Sequence, residues 1–300
     1  MALIPINNPI QDSLDNNDIV QMPRPYLGYS GLAHPCKRYL WLGFRWTFKK
    51  VITQRLKRIF ERGDLEEARI IRDLKAIGCE VYRVDEEGNH VEIFGTIGEE
   101  QEEIIGLASH IKGHIDGRIL GLPGAEKTEH LAEFKTMKSS KWKELYKAGA
   151  NQEAIKKVFP VYYGQLNSYM GKLKIDRAFF VATNKDTEER HYIRVHFDKD
   201  EFEHLESVGM DILTSTIPPK RIGNATWFEC KWCDAKAVCQ SDAMPLKNCR
   251  SCVRGCIEDE GKWTCEMNGK ELSLKDQEKG CSRWDMIPEI KDILLKVNKA

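Results

Sequence analysis

The ten cysteines of this chain are unevenly placed: eight lie between Cys230 and Cys281, Cys36 stands near the start, and Cys79 falls alone between. No other feature limits the choice of fold as much, because clustered thiols either pair with one another or share a metal. The sequence begins MALIPINNPIQDSLDNND, polar and Asn/Asp-rich, without the basic and then apolar stretches of an export signal. That start reads as a flexible terminal segment over residues 1–28 and makes the cytoplasm the expected compartment. In a reducing cytoplasm clustered cysteines bind metal more often than they form disulfides. Cys79, in LKAIGCEVYRV, is read apart from the rest, as a small buried apolar residue at the start of a strand.

Apolar residues make up 41% and charged residues 31%, enough for a substantial hydrophobic core. No stretch approaches the roughly 20 apolar residues that span a bilayer, so no membrane partner is expected. Lys+Arg and Asp+Glu both number 46, giving a net charge of zero. A protein that coats nucleic acid carries a basic excess. Any contact with nucleic acid must therefore come from a local groove, and a concentration of active-site carboxylates fits the balance equally well.

From Phe48 to Ile77 the chain is rich in Lys, Arg, Glu, Leu and Ile, with Ile59, Ala68, Ile71 and Leu74 at helical spacing. Gly63 is expected to divide this region into two helices and Gly78 to stop the second. Strand signals follow in EVYRV, HVEIFGTI and IIGLASHIKGHIDGRIL. In the last, His110, Lys112, His114, Asp116 and Arg118 alternate with Ile111, Ile115 and Ile119, which is a period of two. HLAEFKTMK is a further strand. Residues 140–173 read as helices, with Pro160 in a first turn. DRAFFVATN and HYIRVHF read as strands paired across KDTEER, and residues 199–213 as helix. The fold class is α/β, a mixed sheet flanked by helices, with a small cysteine-rich module appended.

Two features inside this outline point to chemistry. HIDGRILGLPGAEKTEHLAEFKTMK places Asp116 before a Gly/Pro turn, then Glu133 and Lys135 two apart on the returning strand. Glu126 and Glu129 in that turn read as exposed. Phosphodiester hydrolysis needs a deprotonated water and neutralisation of the phosphate. Carboxylates holding Mg²⁺ supply both, and a neighbouring lysine stabilises developing negative charge. Glu-x-Lys is also common in solvated strands, so these three residues mean nothing unless others gather round them.

Those others have a pattern. GHIDG followed by AEFK resembles the motif of PD-(D/E)xK nucleases, in particular the RecB-like branch that includes Cas4 proteins and phage exonucleases. ERGDLEEARIIRDLKAIG is similar to the helix that precedes this motif in the family, with Gly63 and Glu67 at its Gly-x-x-x-Glu positions. YYGQLNSYM is similar to the Gln-x-x-x-Tyr motif that follows, with Gln165 and Tyr169 four apart on one helix face. One departure is Asp64, which stands where many members carry histidine; it is either a substitute ligand or a helix-terminal acid. His110 and His114 receive no role from the resemblance.

The resemblance implies a restriction-endonuclease-like core over residues 29–242. It implies that Glu67, Asp116 and Glu133 hold Mg²⁺ or Mn²⁺, with the Phe134 carbonyl as a further ligand. Lys135 would position the attacking water, and Gln165 with Tyr169 would steady Lys135 or a DNA phosphate. The implied activity is a metal-dependent exonuclease of linear DNA in phage-type recombination, repair or replication. DNA is the implied partner, alongside a single-strand annealing or single-strand binding protein, and the chain could assemble with copies of itself. An endonuclease and a non-catalytic metal-cluster DNA-binding protein are the alternatives. Retention of all six site residues speaks against lost catalysis.

Similar RecB-like nucleases carry one cysteine ahead of the core and three after it, together holding a [4Fe–4S] cluster. Cys36 with Cys230-x2-Cys233-x5-Cys239 matches that arrangement. On ligand type alone four thiolates suit iron–sulfur or zinc. Cys249-x2-Cys252-x12-Cys265-x15-Cys281 suits a structural Zn²⁺ within a module spanning residues 243–300. Such a module has too few large apolar residues to fold without a staple. Cys256 is left over; it could replace Cys252 or Cys265 or stay free. A zinc ribbon of Cys230, Cys233, Cys249 and Cys252 is the other division, but it leaves Cys36, Cys239, Cys265 and Cys281 without a purpose. Trp227, Trp232, Arg250, Arg254 and Trp263 nearby read as packing residues before DNA contacts.

Overall fold

A computed structural model describes residues 17–290. The expected flexible start and the C-terminal tail therefore fall partly outside the described residues. Within them, Ile19–Gln21 pairs with Lys50–Ile52 and Leu27–Gly28 pairs with the start of Ile111–Ile115, so part of residues 1–28 is tied down.

The centre is a six-stranded mixed sheet in the order Arg190–His196, Arg177–Asn184, His130–Met137, Gly117–Leu120, Glu80–Val84, His90–Glu92. Arg177–Asn184 runs parallel to His130–Met137, and the other neighbours are antiparallel. The two parallel strands are buried on both faces, which explains their nearly continuous apolar runs. Leu131, Ala178 and Phe180 face one hydrophobic cluster, and Ala132, Phe179 and Val181 face a second. Helix Pro160–Leu173 covers the first face through Tyr163, Leu166 and Met170. Helix Gln54–Ala76 covers the other through Ile70, Ile71 and Leu74.

Gln54–Ala76 is one uninterrupted helix, so Gly63 does not divide it. A single glycine costs about 1 kcal/mol relative to alanine in a helix. Strong helix formers on both sides and a Thr53 side chain accepting from the Leu56 N–H outweigh that cost. Gly78 ends the helix as expected, at φ +90°. The pairing of Arg177–Asn184 with Arg190–His196 and the helix Lys199–Thr214 also follow the sequence.

The period-two stretch from His110 to Ile119 is not one strand. Ile111–Ile115 joins Leu27–Gly28 and Glu102–Gly106 in a three-stranded sheet, whereas Gly117–Leu120 belongs to the central sheet. The break falls at Asp116, followed by Gly117 at φ +146°, a backbone geometry that side chains disfavour. HVEIFGTI is a strand only over His90–Glu92.

The C-terminal region does not stand apart with a core of its own. Its strands Gly255–Ile257, Trp263–Cys265 and Lys270–Glu271 form a small sheet, but Trp263, Leu272, Met286 and Ile290 enter the main hydrophobic cluster. Trp263 is fully buried between two guanidinium groups, Arg45 at 5.2 Å and Arg250 at 4.7 Å from its ring. Arg250 also lies 3.9 Å over the Trp46 ring and donates to Gln277 Oε1 at 2.7 Å. His110 fastens the same region to the core through its Nε2 and the Glu258 carbonyl, 2.7 Å apart. Trp263 and Arg250 are thus packing residues, while Trp232 remains largely exposed.

Candidate active site

Strand register assembles the acid site. Gly117 pairs with Ala132, so one step beyond that pair Asp116 lies alongside Glu133. Glu102 pairs with Ile115, so on the other flank Asp116 lies alongside Gln101. Asp116 Oδ2 accepts from the Phe134 N–H at 2.6 Å, which locks the acid to the neighbouring strand. Glu133 is buried; its Oε1 accepts from Gln165 Nε2 at 2.8 Å and is ion-paired with Lys135. The Lys135 Nζ also donates to the Phe134 carbonyl at 3.3 Å. Glu67, from the long helix, reaches the group from the side, where Gln101 Nε2 donates to its Oε1 at 3.1 Å and to Asp116 Oδ1 at 3.3 Å.

These side chains feel one another. Burial and then the Asp116 charge push the Glu67 carboxyl up to about 8, against the Gln101 hydrogen bond. Burial pushes Glu133 up to about 7; Lys135 opposes the rise and Asp116 adds to it. Asp116 is raised as well, by burial, against Lys135 and the Phe134 N–H. Burial works against the Lys135 ammonium, yet Glu133 and then Asp116 outweigh it and raise its pKa. Lys135 therefore keeps its proton at neutral pH and serves as a charge and a donor, not as a base.

Glu67 and Asp116 open onto a cleft of about 630 Å³ that Asp64, Gln101, Glu103 and His114 also line. Asp64 adds its charge to both Glu67 and Asp116. His114 borders the cleft, whereas His110 is buried at the Glu258 carbonyl. Tyr169 lies against the site, hydrogen-bonded with Gln165 and within electrostatic reach of Glu133, Asp116 and Lys135. Its ring is buried, meets Tyr29 edge-on at 6.0 Å and fills the space over Gly113, where a Cβ would come within 2.5 Å of it. The ring facing the Lys135 ammonium is that of Tyr162, at 5.8 Å. Glu129, expected to be exposed, instead accepts from Arg118 at 3.3 Å.

The cysteines gather in two places. Cys36, Cys230 and Cys233 line one cleft with His34 and Trp232. Burial raises the Cys36 thiol, with Cys239 and Cys230 close enough to contribute. The buried Arg38 guanidinium lies beside Cys239, a cation among thiols that no motif marks. Cys249, Cys252, Cys265 and Cys281 line a second small cavity with Trp284. Burial and then Cys281, Cys252 and Cys265 push the Cys249 thiol up to about 11. Cys256 interacts mainly with Glu266 and Glu258. The neighbouring thiols are thus Cys36 with Cys230, Cys233 and Cys239, and Cys249 with Cys252, Cys265 and Cys281.

Among the described residues, no group of three or more His, Cys, Asp or Glu side chains is disposed to hold a metal ion as it stands. The donor chemistry nonetheless suits metals. Glu133 Oε2 is buried without a hydrogen-bond partner, and three crowded carboxylates resist ionising together, a conflict a divalent cation relieves. Two sets of thiols with one another as neighbours are donors for soft metals.

No protein-family model matches the chain, and no curated protein does. Among solved structures, the alkaline exonuclease LHK-Exo from Laribacter hongkongensis is similar at 18% identity over 63% of this chain and 86% of that chain, with a TM-score of 0.40. LHK-Exo in complex with dAMP is similar at 16% identity over 63% and 86%, with a TM-score of 0.41. The protein SSO0001 is similar at 14% identity over 72% and 86%, with a TM-score of 0.35. The functional reading rests on the site's own geometry. Among the described residues no helix is long and apolar enough to cross a membrane.

Proposed function

We propose that this chain is a metal-dependent deoxyribonuclease that degrades linear DNA from its ends, in recombination, repair or replication. One observation carries the reading: Asp116, at the break between two sheets, has Glu133 on one flank and Glu67 near the other, with the Lys135 ammonium acting on all three. Glu67, Asp116 and Glu133, with the Phe134 carbonyl, would hold Mg²⁺ or Mn²⁺. A divalent ion there supplies a more acidic water and a counter-charge for the phosphate.

The chain's own groups do the rest. Lys135, kept protonated by Glu133 and Asp116, donates to the attacking water and to negative charge building on the phosphate. Gln165 orients Glu133 by holding Oε1, which leaves Oε2 free of protein partners. Tyr169, buried and pressed against Gly113, fixes the helix that carries Gln165. Cys36, Cys230, Cys233 and Cys239 would hold a [4Fe–4S] cluster, joining the two ends of the nuclease core. Cys249, Cys252, Cys265 and Cys281 would hold Zn²⁺, fastening the C-terminal strands. Cys256 has no ligand role in this arrangement.

The test is an oxygen-free preparation assayed for iron, zinc and visible absorbance, then incubated with end-labelled linear and closed circular DNA plus Mg²⁺. A brown protein containing both metals that shortens only linear DNA is the expected result. Cleavage of circular DNA makes it an endonuclease. Binding to DNA without cleavage under any divalent ion removes the catalytic assignment.

A further inference from the structure

We propose that Gln101 is a fourth member of the acid site: its amide N–H groups bridge Glu67 and Asp116 without metal, and its carbonyl oxygen becomes a ligand when a divalent ion binds. The inference deepens the nuclease reading and rests on it.

The geometry is unusual for a glutamine at the end of a strand. One Nε2 donates to two carboxylates at once, Glu67 Oε1 at 3.1 Å and Asp116 Oδ1 at 3.3 Å. A side-chain amide has two N–H donors on a single nitrogen, so it can serve both acids. That nitrogen occupies the place between the two acids where a shared cation would sit. Its partial positive charge does weakly what a cation would do fully, and it lowers the pKa of Glu67 and of Asp116 against their burial. Lys135 lowers both acids as well, but from outside the cleft, whose lining holds no lysine or arginine.

Gln101 is also held in register from both sides. Immediately after it, Glu102 is buried and receives two bonds from Arg118, at 2.6 and 3.0 Å, and one from the Val84 N–H at 2.9 Å. Just before it, the Glu99 carboxylate gathers the N–H groups of Phe94, Gly95 and Thr96 at 2.8, 2.7 and 2.8 Å. The backbone of Gln101 is therefore pinned beside Asp116, and only its side chain is free to respond. A half-turn about the last side-chain bond exchanges amide nitrogen for oxygen. The same residue then turns from a donor facing two carboxylates into a neutral oxygen ligand, the kind hard divalent cations accept. No change of backbone is required.

Mn²⁺ binding, read by electron paramagnetic resonance of the free ion, separates a ligand from a filler in wild type, Gln101→Ala and Gln101→Glu. Melting temperatures with and without Mn²⁺ accompany each measurement. Gln101→Ala should bind Mn²⁺ about tenfold or more weakly, on the scale of lost supporting contacts at metal sites. Gln101→Glu should bind as tightly as wild type or tighter, yet melt lower than wild type without metal, because a fourth carboxylate replaces the bridging donor. Wild-type or stronger Mn²⁺ binding by Gln101→Ala would overturn the proposal, since the amide would then merely block the site. Equal weakening in Gln101→Glu would overturn it too. Failure of the wild type itself to bind Mn²⁺ would instead remove the metal from the nuclease reading.

Discussion

Two regions of this molecule concentrate charge of one sign below the surface, and they treat it in opposite ways. Around Trp263, Arg45 and Arg250 are buried together, which drives their pKa values down to about 10 and 9, by burial first. Aromatic faces and backbone carbonyls close round them: Trp41, Phe44, Trp46 and Trp263 by stacking, Phe44 and Ser215 by their oxygens. Around Asp116 three carboxylates are crowded and raised, but the group opens onto a cleft. Like charge enclosed by neutral acceptors and rings is architecture. Like charge that opens onto a cavity is a place for something to bind.

The contrast can be broken most decisively at the acid site. Glu133→Ala and Lys135→Ala should each cut DNA hydrolysis by about 100- to 1000-fold or more, the scale for losing one preorganised group, while leaving the fold intact by circular dichroism. Wild-type turnover in Lys135→Ala would remove its assigned role. The mirror experiment is Trp263→Ala, which opens a fully buried site. It should lower unfolding free energy by about 3–5 kcal/mol in a denaturant titration. A change under about 1 kcal/mol would mean the enclosed arginines do not depend on that ring.

A smaller effect sharpens the electrostatic side. Carboxyls whose folded pKa lies above the unfolded value of about 4.3 stabilise fully below that value and lose the contribution as pH rises through the folded value. With Glu133 at about 7 and Glu67 at about 8, the melting temperature of metal-free protein should fall between pH 5 and 9. Mg²⁺ should flatten the curve, and so should Glu67→Gln in part. A flat metal-free profile in the wild type would show that the acids are not crowded in solution. Smallest of all is Gly63→Ala. Nothing lies within 4 Å of the added Cβ, so stability should rise by about 1 kcal/mol.

How far the sequence reached depended on whether a relation was local. Glu133 and Lys135 share a strand, and Gln165 lies on the helix covering the same face, so spacing alone orients them. Cys249, Cys252, Cys265 and Cys281 are likewise close in sequence and line one cavity. Gln101 was invisible because its place beside Asp116 depends on the pairing of Glu102 with Ile115, and no motif encodes a register. The break at Asp116 was hidden for a related reason. Ile111, Ile115 and Ile119 are all fully buried, so the alternation continues unbroken although the chain has changed sheets. Tyr169 fits the motif's spacing: packed against Tyr29 and Gly113, it lies within reach of Glu133, Asp116 and Lys135, whereas Tyr162, whose ring also faces the lysine, carries no motif signal. Gly63 misled because propensity is a weak local cost beside the burial of one long helix face.

The interruption at Asp116 makes one residue answerable to two sheets of unequal strength. The smaller sheet has three strands, one of them only two residues long, and although its Ile104, Ile111 and Ile115 share the main hydrophobic cluster, its short edge is the part of the frame expected to open first. Asp116 would then lose alignment with its neighbours first. In rising urea, the proposed nuclease activity should therefore fade before the helices and the large sheet melt, like a lock that jams while its door still hangs true.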